Sequence, residues 1–175
     1  MIEIDADYRN RVKENYQFSE WSGRTKLGDS NVRIRDFSLP SDIVKGLNLE
    51  AKEELVPSER QQQIMRYIYS SSRSAGGQRL VVTVFECTSV IEAHETLIDV
   101  VMTYMAPKLP RCETKGLEIG DICFAGHGEV NLSVIFARFN ILAEVKSANP
   151  STTSVDEFAR SLDSLILGQY RPTGA

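Results

Sequence analysis

The 175-residue sequence has no run of apolar residues approaching the ~20 that a membrane-spanning helix needs. It has no excess of positive charge: 20 Lys and Arg stand against 24 Asp and Glu, a formal net charge of -4. A nucleic-acid partner leaves a footprint of the opposite sign, so DNA and RNA are not expected. Cysteine is scarce, with Cys87, Cys112 and Cys123 and no CxxC pair, which excludes a zinc knuckle and a dense disulfide framework. Phosphate-cradling glycine motifs (GxxxxGK[ST], GxGxxG) are missing, as are GxSxG and HExxH, so no familiar catalytic or cofactor signature is present and no cofactor is expected. The opening MIEIDADYRNRVKENY is polar and acidic, without the basic start and apolar core of a secretory signal. A cytoplasmic protein is the expectation, and a mature exported protein that has lost its signal is the alternative.

What is present is an ordinary globular composition, 42% hydrophobic and 25% charged, at a length that suits one domain. Residues 1–30 read as an N-terminal extension packing on the domain, 31–168 as a single α+β domain, and 169–175 as a flexible tail. Tyr8, Val12 and Tyr16 recur at spacing four and predict a helix over 5–18. Val32–Leu39 alternates and predicts a strand ending at Pro40, followed by a short helix over 42–47 capped by Ser41. The acidic stretch 48–60, broken by Pro57, reads as loop.

Residues 62–71 read as a strand, with helix as the alternative that the glutamines favour, joined by a Ser/Gly connector to the continuous apolar strand Arg79–Cys87. Ser89-x-x-Glu92 is a capping box opening a helix over 89–105. Its apolar face runs through Val90, Ile91, His94, Leu97, Ile98, Val101, Met102 and Met105, and Pro107 and Pro110 stop it. A strand at Glu118–Phe124 follows, then a hairpin over 130–147 turning near Arg138–Asn140, a loop at 150–152, and a last helix opened by a second box, Ser154-x-x-Glu157, and closed by Gly168. The fold class is therefore α+β, an antiparallel sheet of about five to seven strands flanked by helices.

Few residues carry chemistry. His94, on an apolar helix face, reads as a satisfied boundary residue rather than a base. His127 lies in the loop AGHGE, directly after a strand, where functional groups are often displayed. Only Cys123 and His127 share a short metal-type spacing, so a ligand or metal pocket near them is the alternative site. The cysteines sit beside apolar residues (FEC, PRC, ICF) and read as inert buried thiols, with a Cys112–Cys123 bridge as the alternative in an oxidising compartment. The basic residues Arg24, Lys26, Arg33 and Arg35 are interrupted by Asp29 and Asp36 and read as a solvated face. Phe139 at the hairpin tip, between Arg138 and Asn140, is the leading partner contact, because Phe and Arg are favoured at interface cores.

The order FSLP-SDIV (Phe37–Val44), a Gln-rich strand, the strand RLVVTVFEC, helix 89–105 and a terminal hairpin plus helix resembles the Mog1/PsbP-like fold over residues 32–167. That resemblance implies a sheet flanked by helices and a mostly non-catalytic, accessory role, and no ligand site carries over with it. The expected function is a non-catalytic module acting through contacts with a protein partner. A small-molecule or metal-binding protein, and a bacterial immunity or chaperone-like protein, are the alternatives.

Overall fold

In the computed structural model, which describes residues 6–71, 77–105, 108–148 and 153–171, the elements run α1 (Ala6–Asn15), α2 (Phe18–Trp21), β1 (Leu47–Leu55), β2 (Gln61–Ser71), β3 (Arg79–Cys87), α3 (Val90–Met102), β4 (Ile122–Ala125), β5 (Ser133–Arg138), β6 (Ile141–Ser147) and α4 (Asp156–Leu167). The strands make one antiparallel sheet in the order β1-β2-β3-β6-β5-β4. The fold is α+β, a six-stranded sheet with helices on both faces.

Alternation explains why both faces need cover. Along β3, Leu80, Val82 and Val84 point to one side and join Tyr67 and Tyr69 of β2, Phe136 of β5 and the α4 residues Phe158, Ala159, Leu162 and Ile166. On the other side Ile122, Phe124, Ile135, Ala137 and Leu142 meet Leu97, Ile98 and Val101 of α3. Tyr16, Phe18 and Trp21 complete that second core, so the N-terminal segment is part of the packing. The Tyr16 hydroxyl accepts from Leu109 N at 2.9 Å, and Trp21 Nε1 donates to Tyr16 O at 2.9 Å. Arg9 and Lys13 of α1 pair with Glu95 of α3 at 2.8 and 2.7 Å.

Strands 62–71 and 79–87 lie where the pattern put them, with Ile68 opposite Val81. The Ser/Gly connector at 72–76, the helix-stopping Pro107, the loop at 150–152 and tail residues 172–175 fall outside the described residues.

Several expectations need correction. Val32–Leu39 is no strand but an extended strap with one 3₁₀ turn at Ile34–Asp36. Its amides are taken by side chains: Val32 N donates to Asn140 Oδ1 at 2.7 Å and Ile34 N to Glu86 Oε2 at 2.8 Å. Phe37 is buried along with Val32 and Ile34, whereas strict alternation would set it on the opposite face. The helix at 42–47 is a turn, with Gly46 at φ 87° and Leu49 N bonded to Ser41 O. The supposed loop 48–60 is largely strand β1. Its charged residues carry weak strand propensity, yet β2 offers it a full-length ladder, and that pairing prevails.

Helix α3 starts as read: Ser89 Oγ accepts from Glu92 N at 3.2 Å. It ends at Met102, which leaves Met105 fully exposed rather than on the buried face. The strand at 118–124 shortens to Ile122–Ala125. The second box is displaced, since Ser154 Oγ accepts from Asp156 N at 3.1 Å instead of Glu157 N. Gly120, just before β4, has φ 66°, and a Cβ there would meet Ala137 O at 2.8 Å, so only glycine fits.

Candidate interaction surface

The hairpin tip comes first. Arg138 and Ile141 pair directly, so Phe139 and Asn140 form a two-residue turn. Phe139, not Asn140, takes the positive φ (55°). None of the three tip residues is exposed: Arg138 is 6% accessible, Phe139 0% and Asn140 2%. Arg138 forks onto Asp163 of α4, with Nε to Oδ1 at 2.9 Å and Nη2 to Oδ2 at 2.8 Å, and its Nη1 reaches Asp121 at 3.2 Å. Burial opposes the guanidinium charge, but the bonds to Asp163 and the charges of Asp163 and Asp121 outweigh it and raise the pKa above its ordinary value.

Asp121 also accepts from Phe139 N at 2.7 Å, and the Phe139 ring stacks on Tyr170 at 5.4 Å. Tyr170 is thereby docked, and its hydroxyl donates to Leu27 O at 2.7 Å, so the tail is anchored as far as that residue. Asn140 ties Val32 and Cys87 together through its side chain. Arg138, Phe139 and Asn140 thus clamp sheet, strap and α4 from inside, and an exposed contact tip does not exist. The reason is the companion Asp121 and Asp163, 17 and 25 residues away, which no local pattern reveals.

The second expected site also comes apart. Cys123 is buried and bonded to Cys112, with Cα atoms 5.3 Å apart, so its sulfur is not an inert thiol and cannot ligate a metal. His127 is exposed on the turn beyond β4. Among the described residues no three His, Cys, Asp or Glu side chains converge as a metal site.

The remaining reactive groups are sealed. The Cys87 thiol is pushed up to about 12 by burial. His94 is fully buried rather than at a boundary, edge-on to Trp21 at 5.3 Å. Its Nδ1 accepts from Gly23 N at 2.9 Å, and Nε2 is enclosed without a partner. Burial holds its pKa down at about 4, against a smaller opposite pull from Asp121.

The sheet itself offers an open surface. On the α3 side the register aligns three rows across the strands. The first is Leu55, Ile64, Phe85, Leu142, Ala137 and Ile122. The second is Glu53, Arg66, Thr83, Glu144, Ile135 and Phe124. The third is Ala51, Ile68, Val81, Lys146 and Ser133. α3 crosses β3, β6 and β5, and at the start of β2 Gln61 Nε2 donates to Thr96 Oγ1 at 2.9 Å. The β1–β2 wing projects past it. There Ala51 and Glu53 are exposed, and Leu55, Arg66, Ile68, Val81 and Phe85 are half-buried.

Polar pairs stud this floor. Arg66 meets Glu53 at 2.9 Å, while Glu144 Oε1 accepts from the Tyr104 hydroxyl at 2.8 Å and pairs with Lys146 Nζ at 2.9 Å. Burial, then the Glu144 charge, raise the Tyr104 pKa. The wing ends in β1, and among the described residues no strand pairs with its outer edge. Reading 48–60 as loop hid this edge. The available signal was Leu47, Leu49 and Leu55 about a bulge at Glu50, which shifts the alternation between Leu49 and Ala51.

No protein-family model matches the chain, and neither a curated protein nor a solved structure matches it.

Proposed function

We propose that the chain is a non-catalytic binding module that holds a protein partner on the open β1–β2 wing of its sheet. The observation that carries this reading is the outer edge of β1, nine residues long with one ladder unused among the described residues, beside a sheet face that α3 leaves uncovered. An extended partner segment would add to β1 as a further strand, the backbone ladder giving affinity and the adjoining side chains selectivity. The charges of β1 suit that role: Glu50, Lys52, Glu53 and Glu54 discourage indiscriminate edge pairing while marking a preferred partner.

The non-catalytic part is supported by where the reactive groups lie. Cys123 is bridged, Cys87 and His94 are sealed in cores, and His127 is exposed on a turn. The resemblance to the Mog1/PsbP-like fold points the same way, and the net charge of -4 disfavours nucleic acid. No described helix is long and apolar enough to cross a membrane. The Cys112–Cys123 bridge favours the exported alternative over the cytoplasm, because disulfides persist in oxidising compartments.

Exchanging two charges on the edge tests the proposal. With a partner recovered on the immobilised chain, the double variant Lys52→Glu/Glu54→Lys should weaken its retention about tenfold, roughly 1.4 kcal/mol. His127→Ala should leave retention unchanged. Equal retention by the charge-swapped chain, or loss in His127→Ala alone, would sink the wing as the docking surface.

A further inference from the structure

The occupant of the β1 edge, granted that the wing is the docking surface, can be read from the charges along the strand. Glu50, Ala51, Lys52, Glu53 and Glu54 are all exposed, and among the described residues no strand pairs with that edge. An edge strand meets a second copy of itself about a two-fold axis, which makes the strands antiparallel and repeats every contact twice. In an antiparallel pair, facing residues present their backbone groups alike, and neighbours along a strand alternate. A symmetric pair of regular strands is therefore centred on one residue that faces its own copy.

The bulge limits which residue that is. It shifts the alternation between Leu49 and Ala51, so Leu47 and Leu49 share the α4 side with Lys52 and Glu54. A register that crosses the bulge with matching faces sets Leu49 against Lys52 and Leu47 against Glu54, apolar side chains on charges. The regular half, Ala51–Leu55, pairs residue for residue with β2 and leaves a clean outer edge. Centring on Ala51 needs the bulged Glu50, and centring on Leu55 runs off the strand at Val56. Centring on Lys52 or Glu54 faces like charges. Centring on Glu53 sets Lys52 against Glu54 twice and Ala51 against Leu55 twice. Opposite charges facing each other across strands attract, and like charges repel. Glu53 then faces its own copy, but Arg66 lies 2.9 Å from it in the same row on β2 and offsets that repulsion.

We infer that the chain pairs with a second copy of itself, β1 on β1, antiparallel and centred on Glu53, with reciprocal Lys52–Glu54 contacts. The two-fold stands perpendicular to the sheet, so the two sheets run on as one and both α3 helices lie on the same side. The seam Ala51–Leu55 is short. It suits a reversible dimer with a dissociation constant on the order of 100 µM.

Sedimentation equilibrium of the full chain from about 10 µM to about 1 mM tests this, a range that brackets that constant. The unaltered chain should pass from monomer to dimer across it. Lys52→Glu and Glu54→Lys each turn both reciprocal contacts into like-charge pairs, and each should weaken dimerisation about tenfold. The swapped chain Lys52→Glu/Glu54→Lys restores opposite charges against itself and should dimerise as the unaltered chain does. Against the unaltered chain it sets like charges, so the mixed dimer should be about tenfold weaker than either parent. Recovery in the swapped chain also excludes misfolding as the cause of the single losses. A monomer at every concentration, or a swapped chain that dimerises as poorly as the single variants, would overturn the self-pairing. An equal dimer in every variant would put the seam elsewhere and overturn it too. A monomeric chain that retains a different protein, and retains it less after the swap, overturns the second copy alone and leaves the wing as the docking surface.

Discussion

Arg138 and Asp163 are both buried, and the forked geometry satisfies each (2.9 and 2.8 Å). Removing one partner strands the other charge in low dielectric, so Arg138→Ala or Asp163→Ala should each destabilise the fold by about 3–5 kcal/mol. The double variant Arg138→Met/Asp163→Leu should recover only part of that loss in urea unfolding, because Asp121 stays buried without its cation; strict additivity of the single losses would contradict a coupled pair. His94 gives the residue-scale dependence on pH. Its ring takes a proton near pH 6.5 when unfolded but only near 4 when folded, because burial penalises the imidazolium. Between those values the unfolded chain holds more protons, so stability present above pH 6.5 is lost as pH falls towards 4, by about 3 kcal/mol at most. His94→Gln should show a flatter urea midpoint across pH 6.5–4, and an unchanged slope would exclude His94 as the source. The apolar character of the His94 position was legible in its spacing, but its complete enclosure depends on Trp21 and Gly23, more than 70 residues away.

At the scale of elements, legibility followed the strength of the local signal. β3, α3 and the hairpin of β5 and β6 came through because apolar periodicity and Ser89 capping act within a few residues. β1 did not, since its residues are charged and it is a strand only because β2 pairs with it. The strap at 32–39 failed for the converse reason: Val32 and Ile34 do alternate with exposed residues, but Asn140 and Glu86 side chains take the amides that a ladder would need. The disulfide belongs to this scale too, as it ties the turn at Cys112–Lys115 to β4. Spacing left its pairing open, and proximity of the two residues across the fold decides it. Thiol titration of the chain unfolded without reductant should find Cys87 alone, and all three cysteines should react after reduction. Three thiols before reduction in protein folded under oxidising conditions would contradict the bridge.

For the whole molecule, the sheet divides into a core covered on both faces and a wing that is covered on one. On the α4 side the strap closes the wing, with Phe37, Leu39 and Val44 packed in the same core as Tyr67 and Tyr69 and the Tyr69 hydroxyl bonded to Pro40 O at 3.0 Å. Among the described residues the α3 side has no counterpart to that strap. The asymmetry is the physical basis for placing a partner on β1, whereas the hairpin tip is sealed inside the core and presents no contact surface. Amide hydrogen exchange on the full chain, alone and with its partner bound, tests this most directly. The account predicts that alternate amides of Leu47–Leu55 exchange rapidly in the free protein and become strongly protected in the complex. Complete protection of β1 in the free chain, or a complex that slows exchange elsewhere while leaving β1 unchanged, would contradict it.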